Sequence, residues 1–588
     1  MEDEDGLDEK ALKLRALRRT LHPFFALVAG ACLLAVIGWH GEIKEWLHWC
    51  ATLTGIIFAM ERMWRFWTRS RPPLEPRKLT FSPVLAVTVL VVSVGLLFQP
   101  LSGSDTGSLA AHVFILVAAF VSGLSLMIAN QTRFTARAFH PGMVLVLSFL
   151  AMILIGTLLL KMPRCTVPGQ ACSWLDALFT STSAICVTGL TVQNPATFFT
   201  TTGQAVILLL IQVGGLGIMT LTFFAAVVLF EGLSLHDRLL LGKMIQENRL
   251  ARVGETLKFI VIMTFAVEGI GALILFCGMD GGPAVSTRAF HAVFHAISAF
   301  CNAGFSTLPD NLASDLVRGN WIWQIVIMTL IAVGGLGALV NEDIAFWSVA
   351  KIKRRISREG PHRRLRVHTR LVLVVTALLI VIGAAAIFTT EFCLENGPQN
   401  GGSVLTSFFH SVTARTAGFN TVPMSRISLL TAQLLMVLMI IGGSPGGTAG
   451  GLRTTVMAVG LAHLWNQLRE GRRGMVFFNR TIPAETGSQA LGLIFLTGIW
   501  LAVNFVILEV LETGSGASES TLLFELISAF ATVGLSLDLT PSLSDGAKTL
   551  LIVNMFVGRI GLLTVMATLI KPDSRPASGK PSENILLT

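Results

Sequence analysis

Apolar runs of about 20 residues recur along this chain and are separated by short polar or basic stretches. Runs of this length, without the alternation of a β-strand, predict helices that cross a membrane. Four of them precede residue 135, at about 22–39, 46–63, 81–99 and 110–129. Eight more follow as four pairs, the first helices at about 142–161, 257–278, 370–390 and 488–510, the second at about 203–231, 321–350, 429–465 and 547–570.

A short segment separates the two helices of each pair, and the four short segments resemble one another. They read FTSTSAICVTGLT, FHAISAFCNAGFST, FHSVTARTAGFNT and FELISAFATVGLSL. Their glycines, Gly189, Gly304, Gly418 and Gly534, are 115, 114 and 116 residues apart. About ten residues before a glycine cannot span a bilayer, so each segment is expected to enter and return on one side. The pattern predicts 12 spans, four half-inserted segments and a pore on the axis between the repeats.

The composition places this pattern in a membrane protein. Of the 588 residues, 53% are hydrophobic and 13% are charged, and the mean hydropathy is +0.69. A soluble protein carries about 25% charged residues. The net charge of +9 would suggest nucleic acid in a soluble domain. Here the basic residues cluster in loops, so the positive-inside rule explains them better and places those loops in the cytosol.

The predicted fold is therefore an all-α membrane protein. Four pseudo-repeated helix–pore loop–helix units surround one central pore, and extra transmembrane helices precede them. The predicted boundaries are a cytosolic tail at 1–20, four additional transmembrane helices at 21–135, pore repeats at 140–250, 255–365, 366–480 and 485–572, and a disordered cytosolic tail at 573–588.

The chemistry of the four glycine segments favours binding of a cation. A half-helix that points its C-terminal end inward presents partial negative charge there. Irregular backbone is tolerated at membrane depth where it lines a cavity, and its carbonyl oxygens can replace the water of an ion. Glycine allows the sharp bend because it lacks a Cβ. The alternative, that these glycines only pack helices closely, explains one copy better than four. The predicted ion-binding residues are Val187, Thr188, Gly189, Asn302, Ala303, Gly304, Thr416, Ala417, Gly418, Thr532, Val533 and Gly534.

A second set of residues predicts a gate. The run GGSPGGTAGG at 442–451 is incompatible with an ordinary helix interior, because its glycines and proline would cost several kcal/mol there. Arg559 stands where the other repeats carry Gly215, Gly335 and Gly443, and a charge inside an apolar helix suggests a function. The alternatives are a simple kink, and an arginine that pairs with carbonyls or a buried carboxylate such as Glu268. The predicted gate residues are Gly443, Gly446, Gly447, Thr448, Gly450, Gly451 and Arg559.

Other polar residues in apolar segments are better explained by structure. Glu268 is interpreted as a structural pair rather than a proton relay or sodium site, and His295 and His410 as hydrogen-bonding side chains rather than metal ligands. Arg415 is expected to order the third segment; the alternative is that it lowers cation occupancy. Cys165 and Cys172 share a loop and are equally compatible with a disulfide or free thiols. No catalytic triad, phosphate loop or zinc spacing occurs, so neither an enzyme nor an organic cofactor is expected.

The sequence resembles the Trk/Ktr/HKT superfamily of potassium transporters over about residues 140–570. VTGLT at 187–191, NAGFS at 302–306, TAGFN at 416–420 and TVGLS at 532–536 match the four filter sequences of that family in order. GGSPGGTAGGLRTT at 442–455 and VGRIGLLT at 557–564 look like the Ktr-type pore-forming membrane subunit. The four preceding spans and LRTT in place of the usual IKTT depart from that type.

The resemblance implies potassium uptake through a channel-like pore in a bacterial plasma (inner) membrane, with potassium bound at the filter residues. It also implies an intramembrane gating loop, an arginine beneath the filter, a homodimer and a cytosolic ring of nucleotide-binding regulatory subunits. The basic stretches at 351–370 and 468–480 would be the docking surface, although the positive-inside rule explains them equally. The alternatives are sodium or mixed sodium and potassium transport by the same fold, an alternating-access solute carrier, and a non-conducting scaffold.

Overall fold

The computed structural model describes residues 141–230, 253–279, 284–314, 316–317, 319–357, 364–394, 404–469 and 475–562. The helices predicted before residue 135 and the predicted C-terminal tail lie outside these residues. Within the described part, one order of elements occurs four times: a long apolar helix, a short helix, an irregular segment and a second apolar helix. The four occurrences are called units 1 to 4.

Unit 1 contains α1 (Pro141–Leu160), α2 (Trp174–Ile185), α3 (Pro195–Phe198) and α4 (Thr201–Phe230). Helix α2 begins at a serine cap, where Ser173 Oγ accepts a hydrogen bond from the backbone N–H of Asp176 at 2.9 Å. Its 12 residues correspond to about 18 Å, which is shorter than the ~30 Å hydrocarbon core of a bilayer. The short helix therefore cannot be a span.

Unit 2 contains α5 (Val253–Cys277), α6 (Val285–Cys301), α7 (Trp321–Leu336) and α8 (Ala338–Ser357). The prediction of one continuous helix over 321–350 is wrong, because the chain bends by 104° between α7 and α8. Gly337 makes the bend with a φ of +86°. A Cβ on Gly337 would lie 2.9 Å from the backbone nitrogen of Gly447 and from the carbonyl oxygen of Pro445. A loop from unit 3 thus occupies the inside of the bend.

Unit 3 contains α9 (Val367–Phe388), α10 (Val404–Thr413), α11 (Leu429–Ile440) and α12 (Thr454–Leu468). Residues 441–453, between α11 and α12, are called the intramembrane loop. It lies where the glycine-rich run predicts a break in the helix. Its two ends meet: Ile441 and Leu452 form a parallel bridge, and the backbone N–H of Gly442 donates to the carbonyl of Leu452 at 2.9 Å.

Unit 4 contains β1 (Met475–Phe477), β2 (Arg480–Ile482), α13 (Ala484–Leu511), α14 (Glu519–Phe530) and α15 (Asp545–Ile560). The two strands form an antiparallel hairpin that the analysis of 468–480 as a loop does not predict. Phe478 and Asn479 turn the chain with φ values of +48° and +63°, the two positive values of a tight hairpin turn.

By length and hydropathy, three helices of the described ranges can cross a membrane: Lys258–Cys277, Val367–Glu391 and Ala484–Leu511. The bent pair α7–α8 makes a fourth if it is counted as one span. Shorter apolar helices occur at Val146–Leu160, Thr201–Gly217 and Leu429–Ile440. The total of 12 spans stays a prediction, since a third of the predicted helices precede residue 141.

The second helix of a unit packs against the end of its own short helix through glycine. A Cβ on Gly214, Gly334 or Gly558 would come closer than 3.0 Å to the carbonyl oxygen of Ile185, Phe300 or Phe530, a distance that real Cβ atoms essentially never show. Three of the four units therefore repeat one contact between a helix backbone and a helix C-terminus.

We expect Gly334→Ala to destabilise the protein by about 1–3 kcal/mol, since the added methyl group meets a backbone oxygen that cannot move alone. Gly217→Ala is the matched control, because its Cβ would meet only the Phe149 ring, at 3.8 Å. Alanine there is expected to be neutral or to stabilise the helix by up to about 1 kcal/mol. Thermal unfolding in detergent measures both. Equal midpoints for the two variants would show that the close contact at Gly334 is unimportant.

Candidate functional site

The four glycine segments adopt one backbone conformation. The first predicted ion-binding residue of each segment has a positive φ: +55° at Val187, +61° at Asn302, +76° at Thr416 and +50° at Thr532. The glycine two residues later also has a positive φ: +94° at Gly189, +69° at Gly304, +78° at Gly418 and +92° at Gly534. Positive φ is uncommon for residues other than glycine, so its occurrence at four equivalent positions reflects a shared constraint.

The residue between these two positions does not share the positive φ in any segment. Thr188, Ala303, Ala417 and Val533 are absent from the residues with positive φ, although the structure describes all four. When φ alternates in sign along a strand, successive carbonyl groups turn toward the same side instead of opposite sides. This backbone conformation favours a row of main-chain oxygens on one side of each segment, the arrangement expected of a strand that coordinates cations.

The four segments meet in a closed ring. A Cβ on Gly304 would lie 2.8 Å from the carbonyl oxygen of Ala417. A Cβ on Gly418, Gly534 or Gly189 would come within 3.0 Å of the carbonyl oxygen of Val533, Thr188 or Ala303 in the same way. Each glycine thus faces the oxygen that precedes the glycine of a neighbouring unit. The structure brings the four predicted segments together, with no room for a side chain at the glycines.

Hydroxyl groups of the short helices hold the segments. In units 1 and 4, Ser183 Oγ and Ser528 Oγ accept the backbone N–H of Gly189 and Gly534, at 3.0 and 3.1 Å. In units 2 and 3, a buried hydroxyl donates to the carbonyl oxygen after the glycine instead. Ser298 Oγ bonds to Phe305 O and Thr413 Oγ1 bonds to Phe419 O, both at 2.8 Å. The sequence shows these hydroxyls, but not which of the two bonds each makes.

The two histidines before the filters make hydrogen bonds, as predicted. His295 Nδ1 bonds to the carbonyl oxygen of His291 at 2.8 Å, and its Nε2 bonds to Ser306 Oγ at 2.9 Å. His410 Nε2 bonds to Thr421 Oγ1 at 3.2 Å. Each ring therefore ties a short helix to the chain that leaves the filter. In the described part of the chain, no group of three or more potential ligands forms a metal site.

Glu525 fills the same position in unit 4 and is a residue that the sequence analysis missed. Its carboxylate is completely buried and accepts three hydrogen bonds from the chain that follows Gly534. Oε1 accepts from the Ser536 hydroxyl and from the backbone N–H of Leu537, the latter at 3.1 Å, and Oε2 accepts from Thr540 Oγ1 at 2.7 Å. The signal was present, since FELISAF aligns this glutamate with His295 nine residues before the glycine.

A cavity of about 610 Å³ opens on one side of the ring. It is lined by all four filter glycines and by residues that follow them, including Thr191, Ser306, Asn420 and Ser536. Asp310, Asp538 and Arg426 are the charged side chains of its wall. The glycines and the residues that follow them line the cavity, whereas the intramembrane loop contacts Thr532, two residues before Gly534. The cavity and the loop therefore lie on opposite faces of the ring.

The intramembrane loop lies on the other side of the ring. It contains six of the seven predicted gate residues, namely Thr448 and the five glycines between 443 and 451. Its backbone is anchored on unit 2: the N–H of Ser444 donates to Gly335 O at 3.1 Å, and the N–H of Thr448 donates to Gly334 O at 3.4 Å. A Cβ on Gly450 would overlap the hydroxyl of Thr532, the first residue of the fourth filter segment. The loop therefore lies directly against the ring.

Arg559 joins the loop to unit 1. The side chain is 1% exposed, Nη1 donates to the carbonyl oxygen of Thr448, and Nη2 donates to Gly214 O at 3.1 Å. The suggested pairing with Glu268 is wrong, because the Glu268 carboxylate instead accepts from Gln212 Nε2 at 3.2 Å and from the Cys301 thiol at 3.8 Å. The interpretation of Glu268 as a structural pair between helices is confirmed. Carbonyl oxygens accept hydrogen bonds from Nη1 and Nη2 of the arginine.

Arg453 is a second arginine beside the loop, half-buried, that the sequence analysis did not single out. Its Nη1 donates to the carbonyl oxygen of Ser444 at 3.2 Å and so joins the two ends of the loop. Arg415, next to the third filter segment, is 9% exposed. Its proposed ordering of that segment stays a prediction. Cys165 and Cys172 are free, buried thiols, so the disulfide alternative is not realised in this structure.

These features define a membrane protein with four main-chain segments converging on one point, a class that transports ions. A family model described as TrkH, cation transport protein, matches residues 108–577. The chain belongs to this family of cation transport proteins, and the predicted family is confirmed. It is a multi-pass protein of the bacterial plasma membrane, and its family is one of transporters, not enzymes.

The similar proteins carry related names. Ktr system potassium uptake protein B of Vibrio alginolyticus is 35% identical over 464 residues, 78% of this chain and 97% of that protein. Potassium/sodium uptake protein NtpJ of Enterococcus hirae is 34% identical over 455 residues, 76% of this chain and 97% of that protein. The crystal structure of the potassium transporter TrkH from Vibrio parahaemolyticus has a TM-score of 0.59, with 18% identity over 89% of this chain and 98% of that chain. At that identity it supports the fold alone.

We expect Glu525→Ala to lower the stability of the protein by about 1–3 kcal/mol, because it removes the carboxylate that accepts from the buried Thr540 hydroxyl and from the half-buried Leu537 N–H. Glu519→Ala is the matched control, since Glu519 is exposed in the first turn of the same helix. That change removes only a favourable charge at a helix N-terminus, worth less than about 1 kcal/mol. Thermal unfolding in detergent compares them. A control that is as unstable as Glu525→Ala would contradict the role assigned to the buried carboxylate.

Proposed function

We propose that the ring of filter segments is the selectivity filter of a channel-like pore through which the chain takes up potassium. The observation that carries this proposal is the contact of each filter glycine with the carbonyl oxygen of a neighbouring unit. Four oxygen rows around one point replace the hydration shell of a monovalent cation without any ionised side chain. The four-unit pore architecture and the boundaries given above belong to this proposal.

The choice of potassium has two supports. Rings of neutral carbonyl oxygens suit a large, weakly hydrated cation, because such an ion gives up its water at a lower cost. Relatives of 35% identity in Vibrio alginolyticus and Bacillus subtilis are named potassium uptake proteins. Potassium is here the cargo and binds at residues 187–189, 302–304, 416–418 and 532–534.

The intramembrane loop and Arg559 are the proposed gate. The loop lies against the ring on the face opposite the open cavity, and Arg559 is bonded to the loop at Thr448. A guanidinium at this depth opposes a cation that leaves the filter. The gate opens in this proposal when the loop leaves Gly334 and Gly335 and Arg559 loses its bond to Thr448.

The partners follow from the resemblance: the chain forms a homodimer of pores and binds a cytosolic ring of nucleotide-binding regulatory subunits. The hairpin at 475–482 adds a folded element to the basic stretch at 468–480 proposed for docking, and Val476 at its outer face is 66% exposed. Copurification of the regulatory subunit with the wild type, and its loss after deletion of 475–482, tests this surface.

A second candidate is transport of sodium, alone or with potassium. It is favoured by the relative named potassium/sodium uptake protein. The same fold and filter would serve both cations, so only relative flux separates the candidates. An alternating-access carrier would show two half-length repeats, whereas this chain has quarter-length ones.

The filter proposal predicts rubidium and potassium flux well above sodium flux in vesicles that contain the purified protein. Gly189→Ser is expected to reduce that preference by roughly tenfold, equivalent to ~1.4 kcal/mol, because its Cβ would enter the ring beside Ala303 O. Gly269→Ser is the control, since nothing lies within 4 Å of its Cβ. Equal selectivity in both variants would contradict the filter, and wild-type sodium flux equal to potassium flux would establish the second candidate.

The gate proposal predicts that Arg559→Ala raises flux by on the order of tenfold and adds a leak, since both the charge and the bond to the loop are lost. Arg559→Lys keeps the charge but not the fork that reaches two carbonyl oxygens. The flux of Arg559→Lys is expected to lie between the flux of Arg559→Ala and that of the wild type. Rubidium uptake by vesicles measures all three proteins, and unchanged flux in Arg559→Ala would remove the arginine from the gate.

A further inference from the structure

Helix α8 lies at the cytosolic ends of the neighbouring helices. Thr256, at the start of α5, donates through Oγ1 to Glu342 Oε1 at 3.4 Å. Asp343 Oδ2 accepts from the backbone N–H of Arg366 at 2.9 Å and from Thr369 Oγ1 at 2.8 Å, at the start of α9. The first residues of α5 and α9 each follow a basic loop that the positive-inside rule assigns to the cytosol. These bonds fix the depth of α8 at the inner membrane surface.

The direction of α8 follows from the bend. Helix α7 has 16 residues, about 24 Å, and so covers most of the ~30 Å hydrocarbon core. The chain then turns by 104°, which leaves α8 nearly perpendicular to α7. A helix perpendicular to a crossing helix, at the level where the crossing helices end, runs along the membrane surface.

The exposed side chains near the end of α8 are three apolar and four basic residues. Val349, Ile352 and Ile356 are 62%, 59% and 78% exposed. Their spacings of three and four residues place them on one side of the helix, and they are called the α8 stripe. Four exposed basic residues surround the stripe: at 100° per residue Arg354 lies opposite it, and the others flank it, namely Lys351, Lys353 and Arg355.

The exposed basic residues around the α8 stripe indicate what the stripe contacts. Helices with an apolar stripe and a Lys/Arg-rich polar face lie in the interface of a bilayer and are attracted by anionic headgroups. Lys351 Nζ lies 4.6 Å from the centre of the Trp347 ring, a pairing suited to the headgroup region, where tryptophan is enriched. We propose that α8 binds anionic lipids of the cytosolic leaflet and that this binding sets the position of the intramembrane loop.

The link to the loop is direct. The backbone N–H of Ala338, the first residue of α8, donates to the carbonyl oxygen of Gly446 at 3.1 Å. Gly337 packs on Pro445 and Gly447 from inside the bend. A helix held on the leaflet therefore holds the bend, and the bend supports the loop. This regulatory half of the inference rests on the proposed gate, whereas lipid binding by α8 does not.

Lipid binding is tested with the full chain in vesicles of phosphatidylcholine that contain rising fractions of phosphatidylglycerol. An environment-sensitive dye is placed at Ile356→Cys in a background that carries serine at Cys32, Cys50, Cys277 and Cys393. Cys277 is an exposed thiol, and the structure describes no side chain for the other three. Brominated lipids are expected to quench the dye, and brominated phosphatidylglycerol to quench more than brominated phosphatidylcholine. Absence of quenching by either lipid would show that protein covers the α8 stripe and would overturn the proposal.

The charge dependence is tested with Lys351→Gln/Lys353→Gln/Arg355→Gln. Each lost basic side chain is expected to weaken the preference for phosphatidylglycerol by about fivefold. The matched control, Lys351→Arg/Lys353→Arg/Arg355→Lys, changes the same three side chains but keeps their charges and is expected to retain the preference. An equal loss in both triple variants, or no loss in either, would overturn the binding by α8.

The regulatory half is read from rubidium flux in the same vesicles. Phosphatidylglycerol is expected to change the rubidium flux of the wild type several-fold. It is expected to change the flux of the control triple variant by the same factor and the flux of the α8 triple variant little. Flux that responds equally in all three proteins would overturn the regulation while leaving the dye measurement to decide lipid binding. Absence of rubidium flux in the wild type under every lipid composition would contradict the proposed function instead.

Discussion

The close approach of four backbones at one point is the constraint on which the rest of the structure depends. The space where a Cβ would stand at each filter glycine is taken by the carbonyl oxygen of a neighbouring unit. Bringing oxygens together in this way is unfavourable, because their partial charges repel one another. A cation between them turns the same arrangement into a favourable one. The short helices, the buried hydroxyls and the hydrogen bonds of His295, His410 and Glu525 hold these oxygens in place.

The four units have similar short helices and glycine segments, but their second helices differ where they approach the intramembrane loop. Helix α4 continues through GGLG, α7 ends at GGLG, α11 stops at the loop, and α15 ends at GRIG after Arg559. These differences fit one another: the loop of unit 3 occupies the bend of unit 2, and the arginine of unit 4 bonds the loop and unit 1. The loop can lie against the ring because its neighbours make room for it.

The sequence predicts the parts of the fold that depend on local pattern. The first helices of the units start and end within about four residues of their predicted bounds, because apolar length and flanking charge define a span. The bend at Gly337 could not be predicted, since GGLG at 214–217 is the same string and remains helical. Only the loop residues Pro445 to Gly447 distinguish the two, and they come from another unit. The partners of Arg559 also come from other units, so the sequence could not decide whether carboxylate or carbonyl oxygens accept its hydrogen bonds.

The chemistry of the site requires the arginine and the loop to be considered together. A guanidinium that is 1% exposed and bonded to two carbonyl oxygens loses much of its stabilisation if the loop alone withdraws, since a buried donor without a partner costs about 1–3 kcal/mol. The withdrawal must therefore admit water or move the arginine. Either event would lower the barrier to a cation in the proposed pore, so in this proposal the loop and the charge act as one gate. The gate sets only how fast ions pass. In a passive pore the inward direction of uptake comes from the membrane potential, worth ~2.3 kcal/mol per elementary charge for each 100 mV.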